Sequence, residues 1–130
     1  MPVPSPDDVP VIEDWNRLLD GRVAVVTGGG SGIGAAIAVL FAQHGALVEL
    51  ADLDGDRVEE VASGITSAGG AARTHVADVT TDHDVARLAE SVLGHHGRVD
   101  VLVNNVGDFR PLVPFSRSGP ESWEAMYRIN

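Results

Sequence analysis

An α/β fold built on a doubly wound parallel sheet is what this sequence predicts, on three observations. Short β-branched runs alternate with longer segments whose apolar residues recur at helical spacing. A glycine cluster, Gly28-Gly29-Gly30 with Gly32 and Gly34, stands between the first such run and the first such segment. Apolar residues make up 44% of the 130, enough for one buried core and too many for a disordered chain.

Taken in order, residues 1–20 read as an acidic, proline-rich, flexible tail with a short amphipathic piece around Trp15 and Leu18. The first ten residues are expected to be mobile. Residues 21–130 read as one domain. Arg22–Thr27 (RVAVVT) is a buried strand by its apolar, β-branched run. Gly32–His44 carries Ile33, Ile37, Leu40 and Phe41 at helical spacing, and Gly45 stops it. Ala46–Ala51 is a second strand. Asp54 is placed to cap a helix bearing Val58, Val61 and Ile65. Ala72–Ala77 is a third strand. Thr81 is placed to cap a helix whose Val85, Leu88, Ala89, Val92 and Leu93 form one apolar stripe. Val99–Val103 (VDVLV) is a fourth strand, and Pro120 suits the first turn of a last helix. Parallel strands need crossovers, and right-handed crossovers give four strands in the order 3-2-1-4 with helices on both faces.

Charge and composition exclude several classes of function. Nineteen acidic residues against nine basic ones give a formal net charge of −10, which repels nucleic-acid phosphates and anionic lipid. No cysteine is present, so disulfides, thiolate catalysis and cysteine-bound metals are out, and a reducing cytoplasm is the expected setting. The N-terminal stretch has neither the basic start nor the apolar stretch of a signal peptide, and no apolar run has the length of a membrane span. The five histidines lack metal-ligand spacing, so no metal is expected; His95-His96 reads as a solvated helix end.

The glycine loop is the candidate binding element. Between a strand and a helix, a tight turn can deliver backbone N–H groups, at the positive end of the helix, to a pyrophosphate. Side chains at Gly28 or Gly32 would block that approach, and Gly34 lets the helix pack closely on the strand. Ser31 can bond a phosphate but has no base beside it. Asp52 ends the second strand 18 residues after Gly34, where a carboxylate can bond the ribose hydroxyls of NAD and repel the extra phosphate of NADP. No Arg or Lys lies between Thr27 and Asp52, which also favours NAD over NADP. A plain turn at Asp52 is the alternative. The pattern as a whole is that of a Rossmann-type dinucleotide-binding unit.

Three segments in sequence, Thr27-Gly28-x-x-x-Gly32-Ile33-Gly34, Asp78-Val79 and Asn104-Asn105-Val106-Gly107, resemble the short-chain dehydrogenases/reductases over residues 20–130. The resemblance implies an NAD-dependent oxidoreductase moving hydride between alcohol and carbonyl, with a small-molecule substrate. It implies cofactor contacts from Gly28, Gly30, Ser31, Gly32, Ile33 and Gly34 in the loop, and from Asp52 and Leu53 at the second strand. It further implies that Asp78 meets the adenine amino group, with Val79 beside the ring. Asn104 and Asn105 would tie the fourth strand to its neighbours and border a ribose, followed by Val106 and Gly107. The family usually has Ala where this chain has Val106, whose extra methyl groups crowd the cofactor. Asn130 matches a family asparagine that helps hold a water in a proton relay.

The family's chemistry also needs a Ser and a Tyr-x-x-x-Lys pair, in which the Lys charge lowers the Tyr pKa. This chain has no lysine, and its one tyrosine, Tyr127, precedes Arg128-Ile129-Asn130 and is expected to pack along its helix. These 130 residues are therefore expected to be a truncated, N-terminal cofactor-binding half, inactive alone. The alternative is a non-catalytic dinucleotide-binding module. A methyltransferase would share the glycine loop and acidic strand end, but the Asn-Asn-x-Gly segment argues against it. The fourth strand, left as an exposed edge, is expected to promote self-association.

Overall fold

A computed structural model describes residues 14–108 and 113–130. The expectation that the first ten residues are mobile lies outside them. The elements are β1 (Val23–Thr27), α1 (Gly32–Gln43), β2 (Leu47–Asp52), α2 (Gly55–Ser67), β3 (Ala71–Val76), α3 (Asp82–His96), β4 (Val101–Val103) and α4 (Pro120–Ile129). All strand pairs are parallel and the sheet order is β3-β2-β1-β4, as the alternation of elements predicts. No helix among the described residues is long and apolar enough to cross a membrane.

Strand alternation sends neighbouring side chains to opposite faces, and each face has its own core. Ala24, Val26, Val48 and Leu50 pack under α1 and α2, against Ala38, Ala42, Val58, Ala62 and Ile65. Val23, Val25 and Ala51 pack under α3, against Leu88 and Val92. The caps fall where the sequence places them. Asp54 Oδ1 accepts from Arg57 N at 3.2 Å, and Thr81 Oγ1 accepts from Asp84 N at 3.3 Å. Pro120 opens α4. Leu19 packs on the first core and its N–H donates to His44 O, so the folded body takes in part of the stretch read as tail.

Four expectations need correction. First, α1 meets the sheet through Gly34, Ala38 and Ala42, the only buried residues of that helix, while Ile33 and Leu40 are exposed. Small residues let the helix approach the strands closely, which turns the bulky stripe aside. Second, α3 buries Leu88 and Val92 but leaves Val85 and Leu93 44% and 49% exposed. The stripe is wider than the surface it meets. Third, β4 is three residues long rather than five. Asp100 bounds it: its N–H still donates to Val23 O, but its carboxylate takes the Val23 N–H at 2.8 Å in place of a backbone carbonyl and pairs with Arg98 at 2.9 Å. Fourth, Tyr127 is 87% exposed, and α4 buries no residue at all.

A buried charge sits in the α3 face. Glu49, between Leu47 and Ala51 on β2, is fully buried. Its carboxylate bonds His75 and His96 and pairs with Arg73 at 3.1 Å. His96 is thus a partner of β2, not part of a solvated helix end; only His95 of that pair is exposed. Burial alone pushes the Glu49 carboxyl up, and the two histidine bonds with the Arg73 charge outweigh it, holding the group below the usual carboxylate range. A pKa lowered by folding contributes stability that is complete above the unfolded value, roughly 4.3, and is lost as pH falls through the folded one. Urea unfolding of Glu49→Gln is expected to show a deficit of about 3 kcal/mol at pH 7 that shrinks below pH ~4. A deficit that acid leaves unchanged would show that the carboxylate charge does not stabilise the fold.

Candidate dinucleotide site

The C-terminal ends of β1, β2 and β4 and the N-terminus of α1 meet around the glycine turn. Each connection has a physical cause. Gly29 N donates to Ala51 O at 3.1 Å and Gly30 N to Asp52 Oδ2 at 3.0 Å, which pins the turn to β2. On the other side, Asn105 Nδ2 donates to Thr27 O at 3.1 Å and to Gly28 O at 3.2 Å. Thr27, buried at the end of β1, donates through Oγ1 to Val103 O and accepts from Asn105 N, both at 3.1 Å. The turn is therefore held from both flanks by neutral bonds and one carboxylate.

Glycine is a steric requirement here. A Cβ on Gly34 would lie 2.1 Å from Gly28 O and 2.6 Å from Asn105 Nδ2. Gly32 has φ +53 and nothing within 4 Å of its Cβ position, so its bare face opens on free space. Ser31 precedes the helix in an extended conformation and makes no side-chain cap, so the first-turn N–H groups of α1 are uncapped by it. That is the cradle a pyrophosphate needs: bare backbone, helix N-terminus, room.

The space in front of the turn is a groove of about 460 Å³. Gly28, Ser31, Gly32 and Ile33 line it from the turn, and Asp52 and Leu53 from β2. Asp78 and Val79 follow β3, and Asn105, Val106 and Gly107 follow β4. Of the residues singled out in the sequence, Gly30, Gly34, Asn104 and Asn130 do not line it. Gly30 and Gly34 stand behind the wall, shaping it through Asp52 and Gly28. Asn104 is exposed, and Asn105 alone makes the ties foreseen for the pair. Asn130 bonds both backbone groups of Asp108, donating to its O at 2.8 Å and accepting from its N at 3.2 Å. It so joins the end of α4 to the segment after β4.

Sequence reading missed Ala77, Thr80, Asp108 and Ile129, which also line the groove. Thr80 carried a signal: two residues after an Asp, a Thr closes an Asx turn. Its N and Oγ1 both donate to Asp78 Oδ1, at 2.9 and 2.6 Å. Asp52 is fixed as well, because Oδ1 accepts from Asp54 N at 3.2 Å while Oδ2 takes Gly30 N. Both carboxylates therefore face the groove in set orientations.

This geometry can be set beside known proteins. Residues 22–130 match the short chain dehydrogenase family. The chain belongs to that family. It is 38% identical over 117 residues to a D-threitol dehydrogenase of Mycolicibacterium smegmatis, covering 90% of this chain and 45% of that protein. It is 40% identical over 96 residues to the 7alpha-hydroxysteroid dehydrogenase of Escherichia coli, covering 74% and 38%. Among solved structures, a metagenomic short-chain oxidoreductase in complex with NADP superposes with a TM-score of 0.80 at 41% identity, covering 85% of this chain and 50% of that one. A 7 alpha-hydroxysteroid dehydrogenase complexed with NADH gives 0.82 at 36%, covering 88% and 44%. The chain spans less than half the length of these curated relatives.

The steric account of the family's glycine turn gives an ordering. Gly34→Ala is expected to destabilise the chain by about 3 kcal/mol, because its Cβ meets rigid backbone. Gly32→Ala is expected to cost roughly 1 kcal/mol, from its left-handed backbone alone. Gly64→Ala, mid-helix with nothing within 4 Å, is expected to stabilise by about 0.5–1 kcal/mol. Thermal or urea unfolding reads all three, and Gly34→Ala no worse than Gly32→Ala would contradict the close approach.

Proposed function

We propose that residues 21–130 are the cofactor-binding domain of an NAD-dependent oxidoreductase that interconverts an alcohol and a carbonyl, preceded by an acidic, proline-rich tail over residues 1–20. The observation that carries the preference for NAD is Asp52, fixed by the N–H groups of Gly30 and Asp54 on the groove wall. A ribose with both hydroxyls free can donate to that carboxylate; a 2′-phosphate meets like charge there. The solved relatives named above bind NADP in one case and NADH in the other, so this preference rests on Asp52 and not on them.

In this reading the first-turn N–H groups at Gly32, Ile33 and Gly34 hold the pyrophosphate, with Gly28, Gly30 and Ser31 shaping the turn. Leu53, Asp78 and Val79 flank the adenine. Asn105, Val106 and Gly107 border the second ribose, and Asn130 holds the segment after β4 against the end of α4. A bound nicotinamide would supply the hydride chemistry. The proton must move through a Tyr-x-x-x-Lys pair and a Ser, and these 130 residues contain no lysine. In this reading residues 21–130 bind the dinucleotide, and these 130 residues by themselves are not expected to turn over.

Calorimetric titration separates these claims from error. NAD is expected to bind about tenfold tighter than NADP, and Asp52→Asn to erase the difference. Equal affinities in the unaltered chain, or an NADP preference that survives Asp52→Ala, would refute the role of Asp52. NADH formation from a secondary alcohol by this chain would refute the absence of turnover.

Self-association belongs to the same proposal. β4 is an edge of the sheet, and its Leu102 is 57% exposed. An apolar edge presents unpaired N–H and C=O groups to a second copy. The net charge of −10 opposes contact, and salt screens that repulsion within about 10 Å at 0.1 M. Light scattering is expected to show association rising with ionic strength. A monomer at every salt concentration would mean that the edge is covered.

A further inference from the structure

Asp78, Val79 and Thr80 bring the groove wall off the end of β3, an edge strand with a neighbour on one side only. Backbone groups at such an end fray unless something else satisfies them. Three are satisfied here. Ala77 N donates to Asp52 O at 2.9 Å, which ties the segment to β2. The other two are met by side chains of α3: Arg87 Nη2 donates to Val76 O at 3.1 Å, and Asp84 Oδ2 accepts from Asp78 N at 2.9 Å.

The bond from Asp84 differs from the one its position predicts. Thr81 caps α3 and Asp84 stands three residues on, the place from which a capping-box side chain turns back to the N–H of the cap residue. Here Thr81 N donates to Asp78 O at 3.1 Å instead, and Asp84 reaches past the cap to Asp78 N. Its Oδ1 pairs with Arg87 at 3.2 Å, so the two side chains that grip the end of β3 also grip each other. The Asp78 N–H, and after it His83 and Arg87, hold the Asp84 carboxyl below the usual carboxylate range. Asp84 does not line the groove; it faces a separate cavity with Arg87, Leu88 and Ser91.

Asp78 is thereby fixed through each of its polar atoms but one. Its N–H goes to Asp84, its O takes Thr81 N, and its Oδ1 takes the N–H and hydroxyl of Thr80. Among the described residues no hydrogen bond reaches Oδ2. An ionised carboxylate oxygen only accepts. The donors at the adenosine end of a dinucleotide are the ribose hydroxyls and the exocyclic amino group of the base. Asp52 is the acceptor for the hydroxyls in the reading above, which leaves the amino group for Asp78.

We propose that Asp84 is the positioning residue for the adenine end of the groove: by holding the Asp78 N–H it aims the remaining Asp78 carboxylate oxygen at the exocyclic amino group, and so makes the groove distinguish adenine from a base that lacks that group. The proposal rests on the groove being a dinucleotide site. Asp84 touches no ligand and acts through Asp78.

The test is calorimetry with NAD and with its hypoxanthine analogue, in which an oxo group replaces the amino group. The unaltered chain is expected to bind NAD about tenfold tighter than the analogue, the worth of one hydrogen bond to a carboxylate. Asp84→Ala is expected to bring the two affinities together, by weakening NAD. Asp84→Asn, whose amide oxygen can still accept the Asp78 N–H, is expected to keep the ratio. Asp78→Ala is expected to abolish it, and Asp84→Ala added to that background to change nothing further. Circular dichroism checks α3 in each variant; where Asp84→Ala loses the helix, Asp84→Ser, which keeps a polar first turn without the carboxylate, takes its place. NAD and the analogue weakened by the same factor in Asp84→Ala, as a merely structural role would give, overturns the role of Asp84 while NAD binding stands. So does an unaltered chain that binds both equally. Neither dinucleotide binding the unaltered chain overturns the groove reading, and this proposal with it.

Discussion

The close approach of α1 to the β1 turn is the constraint on which the rest of the site depends. Gly28 O, the Gly34 backbone and the Asn105 amide occupy a space that leaves no room for a Cβ. From that approach follow three placements. The N-terminus of α1 opens on the groove. Gly30 N comes within bonding distance of Asp52, which fixes that carboxylate on the groove wall. Asn105 reaches across β1 to bond Thr27 and Gly28, which holds the segment after β4 beside the turn. Loosening the turn by one methyl group would disturb all three together, because interiors at this density have no slack to absorb it.

The sheet's two faces are held by different means. Under α1 and α2 the packing is apolar and closed, with small residues where the helix comes nearest. The α3 face has fewer apolar contacts and a buried carboxylate that links β2, β3 and the end of α3. A buried charge is costly unless its oxygens are satisfied, and Glu49 meets that condition with three partners. The exposed apolar residues Val85, Leu93 and Leu102 lie on α3 and β4. These exposed apolar residues and the groove thus lie at different parts of the fold.

Most of the fold was legible because backbone demands leave residue-level marks. A turn with no room for side chains is written in glycines, and a carboxylate at a strand end is written as Asp52. What was not legible depended on partners distant in sequence. Glu49 lies inside the second strand, where a lone carboxylate buried with its strand requires counter-groups that the sequence nearby does not show. His96 was judged by its neighbours on the helix, whereas its partner lies on β2. Ile33 and Leu40 share the helical spacing of Ile37 and Phe41, but the tight helix–strand contact selects Gly34, Ala38 and Ala42. Asp100 shortened β4 by bonding Val23 N, a competition that propensity alone does not register.

The most direct measurement is amide NMR of the isotopically labelled chain during addition of NAD. Shifts are expected at Gly30, Ser31, Gly32 and Ile33, with Asp52 and Val79, while Gly45, Gly69 and Gly70 at the other end of the strands stay still. Shifts confined to that opposite end, or none anywhere at saturating NAD, would contradict the assignment of the glycine turn as the dinucleotide site.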